Sequence, residues 1–431
     1  MKSNDSMPKQ EKVLRIEDHF KRNTAGITLV EFFWGLGLPV LIESTFLQIF
    51  LTSLGASKTI IGLPPVFLSI GIAICSLFSA YFTMHLRHKK NIVVLVHIMA
   101  ALPIIAFGAF LSFLPASSSS VLSVFLLCYA CFALGIGLTL PIWQNYLVKI
   151  FSEKHSIRAL SVMSIVQNLS KIFCSIFLFK IVQRFSMDII GIRLIFILVG
   201  IFLFCGSFFF LFTKETSDDH EFVSHGLINI ADFVKALKAV FTNRNFLFFL
   251  GNDIAYFAGA SVISFYGIYA KEHADMSPEI ISGLFPLIYY LGAVIAQFIF
   301  GWLQILSLRN KFIISKLLTL IGILLLVFIQ TSLSFFITCF CLGASIAIRL
   351  LIYPPALKRI ANTSETTAYF ALATILILPV SAGLPFLSGR FLDLFSGLGS
   401  WNYKYLFLFM AFLILLSFFF LFKIDFKQKK N

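Results

Sequence analysis

The chain contains few charged side chains, and this scarcity limits the class of protein it can be. Asp, Glu, Lys and Arg together make up 13% of the 431 residues, whereas apolar residues make up 59% and Phe alone occurs 53 times. A soluble fold of this size would have almost no polar surface to present to water. We therefore expect lipid to cover most of the surface of a polytopic membrane protein.

Several functional motifs are also missing. No Gly-x4-Gly-Lys-Ser/Thr loop occurs, so an ATPase is not expected. Cys128 and Cys131 have the spacing of a redox motif but lie in an apolar stretch without a second pair, and we interpret them as packing residues. His85-Leu86-Arg87-His88 lacks a nearby carboxylate cluster, so neither a metal site nor an enzyme is expected, and no cofactor. The charged first 23 residues do not resemble a cleavable signal peptide.

The uncharged stretches are too long to be single helices. Residues 91–148 contain no Asp, Glu, Lys or Arg, and as one helix they would be about 87 Å long against a hydrocarbon core of ~30 Å. They must fold back, and Pro115-Ala116 followed by four serines supplies the turn. Similar breaks predict twelve membrane-spanning helices. The predicted spans are 24–54, 58–84, 91–114, 121–149, 157–185, 188–213, 246–271, 278–306, 312–331, 334–359, 365–393 and 402–424.

Basic residues cluster at every second break between these spans. If the amino terminus is cytoplasmic, 25 of the 34 Lys and Arg residues fall on that side, including three in 307–316, and six fall on the other. This asymmetry predicts a multi-pass protein of the cell (inner) membrane with both termini in the cytoplasm. It also explains the net charge of +14 through the anionic inner leaflet, so membrane lipids are expected partners and nucleic acid is not.

The carboxyl half repeats features of the amino half. Ser207–Phe212 recurs as Ser417–Phe422, and Gly62–Pro65 aligns with Gly283–Pro286. The order of breaks and basic clusters is also the same, which predicts two like halves. The predicted organisation is a cytoplasmic segment 1–23, a six-helix bundle 24–213, a cytoplasmic linker 214–245 with an amphipathic helix at 230–241, a second six-helix bundle 246–424 and a cytoplasmic tail 425–431.

With these features the chain resembles the major facilitator superfamily over essentially its whole length. The family's loop signature, roughly Gly-x-Leu-x-Asp-Arg-x-Gly-Arg-Lys, is degenerate: Arg87–Lys90 keep its basic end, the second half keeps Gly301–Leu303 and Arg309–Lys311, and both aspartates are absent. The resemblance implies an all-α fold of two pseudo-symmetric six-helix bundles and transport by alternating access. It makes these loops candidate gates, through Arg87, Lys89, Lys90, Arg309 and Lys311.

Five ionisable residues fall within predicted spans, where each costs roughly 2.5–3.5 kcal/mol. They are Glu31 and Glu43 in helix 1, Lys171 in helix 5, Asp253 in helix 7 and Arg349 in helix 10. We predict pairs between Asp253 and Arg349 and between Glu43 and Lys171, which leaves Glu31 without an obvious partner. An unpartnered acid in a poorly solvated cavity suits proton coupling, with a shallow, exposed Glu31 as the alternative.

Polar and aromatic side chains on the spans predict where a solute binds. Ser161, Ser164, Asn168, Lys171 and Ser175 form a stripe along helix 5 at spacings of three and four residues. The family's geometry implies further residues along the central path, although each aromatic one could instead be a packing residue. The predicted substrate-binding residues are Trp143, Asn145, Asn168, Asn252, Tyr256, Tyr290, Gln297 and Tyr353.

The predicted function is proton-coupled symport of a small organic solute by a monomer. Lys171 and Arg349 weakly favour an anionic or zwitterionic solute. One alternative is a facilitative or exchange carrier, or an exporter of amphipathic compounds. An alternative of another class is a sensor or scaffold that keeps the transporter fold without transporting anything.

Overall fold

The computed structural model describes residues 18–42, 45–83, 89–113, 117–151, 153–215, 241–361 and 367–426. Glu43, Arg87 and nearly all of the predicted linker helix lie outside the described residues, as does the side chain of Asn145. The described part of the chain is helical and contains no strand. It includes twelve helices that are long and apolar enough to cross a membrane.

We number the twelve helices α1–α12, and several consist of two segments. Their bounds are α1 Phe20–Gly35 and Leu38–Leu41, α2 Lys58–Ile61 and Leu63–Thr83, α3 Lys90–Phe113, α4 Ser118–Ile150, α5 Glu153–Phe185, α6 Ile189–Phe208, α7 Arg244–Ile263 and Tyr266–His273, α8 Ile280–Trp302, α9 Leu308–Phe328, α10 Ser332–Ala361, α11 Thr367–Leu376 and Leu378–Leu394, and α12 Ser400–Lys423. An additional short helix, Thr45–Ser53, follows α1.

The first predicted span is wrong as a continuous helix. α1 begins four residues earlier than predicted, at Phe20, and its regular hydrogen bonding is interrupted at Leu36 and Gly37. Pro39 stands in the first turn of the next segment, where its missing N–H costs nothing. α11 has a similar break at Ile377, directly before a segment with proline in its first turn. Because α1 ends at Leu41, Thr45–Ser53 is a separate helix, and it contacts the other half.

Each half contains a very close glycine contact between its second and fourth helices. A Cβ atom on Gly137 of α4 would lie 2.1 Å from the carbonyl oxygen of Gly71 in α2. A Cβ atom on Gly343 of α10 would lie 1.9 Å from the carbonyl oxygen of Tyr289 in α8, so this pair is equally tight. Small residues allow such close backbone approach in membrane helices. The internal repeat is therefore present in the packing as well as in the sequence.

Because twelve helices cross the bundle, α1 begins and α12 ends on the same side, which we call the terminal side. The two halves contact each other mainly through α2 with α11, through α5 with α8, and through Thr45–Ser53 with α7 and the start of α8. Lys171 of α5 lies at one of these contacts, with its ammonium group 5.1 Å from the ring centroid of Tyr290 in α8. Asp253 of α7 and Arg349 of α10 pair with each other inside the carboxyl half.

Candidate substrate and coupling site

Asp253 of α7 and Arg349 of α10 form the predicted ion pair. Arg349 Nε donates to Asp253 Oδ1 at 2.9 Å, and Arg349 Nη2 donates to Asp253 Oδ2 at 2.5 Å. Both side chains are largely buried. Two parallel, charge-assisted hydrogen bonds fix the geometry of a guanidinium more strongly than a single contact would. The prediction of this pair from the sequence is confirmed.

Two tyrosines hold the guanidinium group in place. The Cζ atom of Arg349 lies 4.2 Å from the ring centroid of Tyr256 and 3.9 Å from that of Tyr353. Tyr256 is one turn from Asp253 on α7, and Tyr353 is one turn from Arg349 on α10, so helical spacing brings both rings to the pair. Cation–π contacts of this kind are strongest away from water. Two predicted substrate-binding residues therefore lie at the ion pair.

Lys316 of α9 belongs to the same cluster, although the sequence analysis counts it among the basic residues on the side of the termini. It is 3% exposed, and its ammonium group donates hydrogen bonds of 2.8 Å to the carbonyl and hydroxyl oxygens of Ser417. It also lies within electrostatic range of Asp253. Counting it with that side is wrong because α9 begins at Leu308, eight residues earlier, and Lys316 lies inside the helix. The predicted span 312–331 already includes Lys316 and is the signal that indicates its burial.

A small cavity separates these side chains. It is lined by Asn252, Asp253, Lys316 and Arg349 among others, and its volume of about 20 Å³ is enough for one water molecule but not for an organic solute. Asn252 is 2% exposed, and its Oδ1 atom has no hydrogen-bond partner among the described residues. A residue with an acceptor that has no described partner therefore lines the cavity together with two basic residues.

Glu31 of α1 and Lys171 of α5 form the charged site of the amino half. Glu31 is 7% exposed and Lys171 is 5% exposed, which rules out a shallow Glu31 at the surface. The expectation that Glu31 lacks a partner is wrong, because Gln167 donates a hydrogen bond to its carboxylate and Lys171 attracts it electrostatically. Gln167 lies three residues after Ser164 and four before Lys171, so the stripe spacing could have indicated it. The predicted Glu43–Lys171 pair stays a prediction, because Glu43 lies outside the described residues.

α5 and α8 connect the two halves through polar side chains. Asn168 Nδ2 donates to Gln297 Oε1 at 2.9 Å, and Lys171 Nζ lies 5.1 Å from the ring centroid of Tyr290. Tyr290 and Gln297 are seven residues apart and, as predicted, share the face of α8 that meets α5. Trp143 packs instead against the hydrophobic core, and its indole N–H has no hydrogen-bond partner among the described residues.

On the side opposite the termini, an acidic group joins the halves. Asp393 at the end of α11 accepts hydrogen bonds from the backbone N–H groups of Lys58 at 2.9 Å and Thr59 at 2.8 Å, and from the Thr59 hydroxyl at 2.5 Å. The Lys58 ammonium also pairs with Glu272 of α7 at 3.0 Å, and Glu272 accepts a hydrogen bond from Tyr403. We call these five residues the opposite-side latch. The sequence analysis missed the latch because it spans residues more than 200 positions apart.

The helix Thr45–Ser53, which follows α1, also joins the two halves on this side. Thr45 donates to the carbonyl oxygen of Ile281, and Gln48 accepts a 3.1 Å hydrogen bond from the backbone N–H of Gly267. Gly267 lies just after the break in α7, and a Cβ atom there would come within 2.7 Å of the Gln48 side chain. The halves are therefore held together on the opposite side at two independent places.

The predicted gating residues of the terminal side contact their own half. Lys90 donates to the carbonyl oxygens of Leu211 and Thr213 at 2.8 Å. In the carboxyl half, Arg309 donates to Ile424 O at 2.8 Å and Lys311 to Phe300 O at 2.7 Å. These contacts hold the ends of neighbouring helices together within each half. A gating role for them stays a prediction.

Glu215 organises the terminal side of the amino half. Its carboxylate accepts hydrogen bonds from the backbone N–H groups of Lys89 and Lys90 at the start of α3, and it pairs with Lys149 at 2.7 Å. Burial alone would raise the pKa of Glu215, but the bonds from Lys149, Lys89 and Lys90 outweigh it and hold the pKa below its ordinary value. The carboxylate also faces the positive end of the α3 dipole.

Comparison with known proteins agrees with this architecture. The sequence model of the Major Facilitator Superfamily matches residues 27–375. The chain belongs to this family. It is accordingly a multi-pass membrane protein of a family of transporters. No curated protein matches the sequence.

Three solved structures with the same fold illustrate the range of the family. A bacterial homologue of the human lysosomal transporter Spinster, inward-facing and unoccupied, has a TM-score of 0.63 at 14% identity, covering 94% of this chain and 95% of that one. The nucleoside transporter NupG has a TM-score of 0.68 at 13% identity, covering 93% and 100%. A POT family transporter in complex with a thioalcohol-conjugated peptide has a TM-score of 0.62 at 19% identity, covering 94% and 97%.

Proposed function

We propose that the protein is a secondary active transporter that moves a small organic solute with an anionic or zwitterionic group by proton-coupled alternating access. The observation that supports this most is the presence of a buried charged group inside the helices of each half, Asp253 with Arg349 in the carboxyl half and Glu31 with Lys171 in the amino half. Charges buried at this depth are costly and usually mark a transport path or a proton relay.

Two basic side chains share one acid in the carboxyl half, which supports the anionic character of the solute. Arg349 and Lys316 both act on Asp253, and tyrosine rings surround the guanidinium group. A guanidinium in such a setting is well suited to bind a planar anion with two parallel hydrogen bonds. The rings would bind an apolar part of the solute, so an amphipathic organic acid or a zwitterion fits best.

Glu31 is the group we assign to proton coupling. It is buried, it accepts a neutral hydrogen bond from Gln167, and its nearest base is Lys171. When the halves rock, the contacts between α5 and α8, Asn168 with Gln297 and Lys171 with Tyr290, must change. Release from Tyr290 would let the Lys171 ammonium group change its distance from Glu31 within the amino half. Proton binding at Glu31 could then depend on which side is open.

We also propose that both termini face the cytoplasm, that the protein lies in the cell (inner) membrane, and that it functions as a monomer. The orientation rests on the excess of Lys and Arg on the terminal side. In this orientation the opposite-side latch closes the external face. The structure would then correspond to a state closed to the outside.

The test is uptake into proteoliposomes with and without an inward proton gradient, using solutes first selected by thermal shift on the purified protein. We expect Glu31→Gln to abolish gradient-driven accumulation while solute exchange at equal pH continues, because exchange needs no net proton movement. Glu279→Gln, which neutralises an acid before α8, is the matched control and should behave as wild type. Undiminished accumulation by Glu31→Gln would remove Glu31 from the mechanism, and absence of flux for every solute would favour the sensor or scaffold alternative.

A further inference from the structure

Asp253 has two basic side chains within reach, and they differ in how they are held. Arg349 binds the carboxylate directly through two hydrogen bonds. Lys316 is held away from it by Ser417, which accepts two of the three N–H bonds of the ammonium group. Asp253, Lys316 and Arg349 line the same cavity, and the Asp253 carboxylate attracts both basic groups. The two bases are therefore alternative counter-ions for one carboxylate.

The cavity between them gives Lys316 room to move. Its volume of about 20 Å³ accommodates one water molecule, and an ammonium group is of similar size. The unpaired Oδ1 atom of Asn252, next to Asp253 in the sequence, is an additional acceptor for a donor that enters this space. A long, unbranched lysine stem can change rotamer at its end without displacing the helices. Lys316 thus has both the space and the acceptors for a second position.

A solute that binds Arg349 must first draw it away from Asp253, which would leave a buried carboxylate uncompensated. We infer that Lys316 is a positioning residue that becomes the counter-ion of Asp253 when Arg349 turns to the carboxylate group of the solute. This inference rests on the proposed function and narrows its solute to a carboxylate. The guanidinium group, still flanked by Tyr256 and Tyr353, then offers its free edge to the solute.

Binding to the purified full chain in detergent tests this exchange separately from flux. The probe is phenylacetate, titrated by intrinsic fluorescence, with the neutral phenylacetamide as its control. Wild type should bind the acid and not the amide. Lys316→Met should raise the Kd for phenylacetate roughly tenfold, a size typical of coupling between linked sites. Lys316→Arg should stay near wild type, and Lys404→Met, which removes a positive charge elsewhere in the same half, should have no effect.

The decisive comparison uses Asp253→Asn. This change releases Arg349 permanently, so a second change, Lys316→Met, should then no longer weaken phenylacetate binding. If Lys316 were only structural, the double variant would bind more weakly than Asp253→Asn alone, and the inference would be overturned. If wild type bound the amide as well as the acid, or neither, both the inference and the anionic solute would be wrong. If wild type bound the acid but Lys316→Met did so equally well, only the inference would fail.

Discussion

Neutralising Asp393 should open the side of the protein opposite the termini. The carboxylate accepts three hydrogen bonds from Lys58 and Thr59, and thereby joins the end of α11 to the start of α2 in the other half. Asp393→Asn keeps the size of the side chain but removes its charge and one acceptor oxygen. It also turns an N–H group towards the donors at the helix start. Both changes act against closure.

The expected magnitude follows from the bonds that are lost. Hydrogen bonds to a charged group contribute about 1.5–3 kcal/mol each. Both Thr59 bonds go to Oδ2 of Asp393 and the Lys58 bond goes to Oδ1, so an amide with its oxygen at the Oδ2 position retains two of the three in neutral form. We therefore expect the contact between the halves to weaken by about 2–3 kcal/mol, since the Lys58 bond is lost and loss of the charge weakens the two that remain. At about 1.4 kcal/mol per factor of ten, the ratio of closed to open molecules should fall roughly 30- to 150-fold.

The distance between the halves on that side reports the change directly. Spin labels at Ser53 and Ser396, both exposed and in different halves, would be placed in a cysteine-replaced background. Pulsed electron paramagnetic resonance should show a longer distance gaining population in Asp393→Asn. Asp188→Asn is the matched control, because Asp188 also precedes a helix on this side but makes no side-chain cap hydrogen bond and lies in one half. Identical distance distributions in Asp393→Asn and wild type would refute the reasoning.

Two further predictions concern stability. Because the pKa of Glu215 is lowered in the folded state, its carboxylate stabilises the fold fully above the ordinary glutamate pKa of 4.5. This stabilisation is lost as the pH falls through the pKa of the folded state. Glu215→Gln should therefore lower the thermal midpoint at pH 7, and the midpoint of the variant should decrease less steeply than that of wild type below pH 4.5. Equal slopes for the variant and wild type would contradict this. Gly343→Ala should destabilise the carboxyl half by about 1–3 kcal/mol in a thermal denaturation assay, since its Cβ atom would lie 1.9 Å from the carbonyl oxygen of Tyr289. Gly397→Ala is the control, because a Cβ atom there meets nothing within 4 Å, and it should leave the stability unchanged.

The sequence predicts the fold well because lipid removes most alternatives. Apolar length, breaks and basic clusters are local signals, and each constrains one helix independently of the others. The fold-back near Pro115 illustrates this, since α3 ends at Phe113 and α4 begins at Ser118. The interruption of α1 was missed because a break at Leu36 and Gly37 leaves the apolar run continuous.

The site could be predicted only in part, because its contacts join distant residues. The Asp253–Arg349 pair was found because two opposite charges in an apolar setting have few other partners. Lys316 was missed since its position near a basic loop conceals its burial, and Asp393 was missed since its partners are backbone groups of the other half. Neutral partners such as Gln167 carry no charge signal. Their contribution depends on helix rotation, which the sequence leaves open.

The internal repeat is kept in the backbone but only in part in the charges. The glycine contact of α2 with α4 has its equivalent in α8 with α10. In the register that aligns Ser207–Phe212 with Ser417–Phe422, Arg349 corresponds to Thr139, whose hydroxyl donates to the carbonyl oxygens of Gly135 and Val96 in the amino half. One duplicated scaffold therefore supports two chemically different sites. In the proposed mechanism the carboxyl half binds the solute through Arg349, and the amino half binds the proton. A carrier whose two ligands bind in different halves can couple them only through the motion of one half against the other.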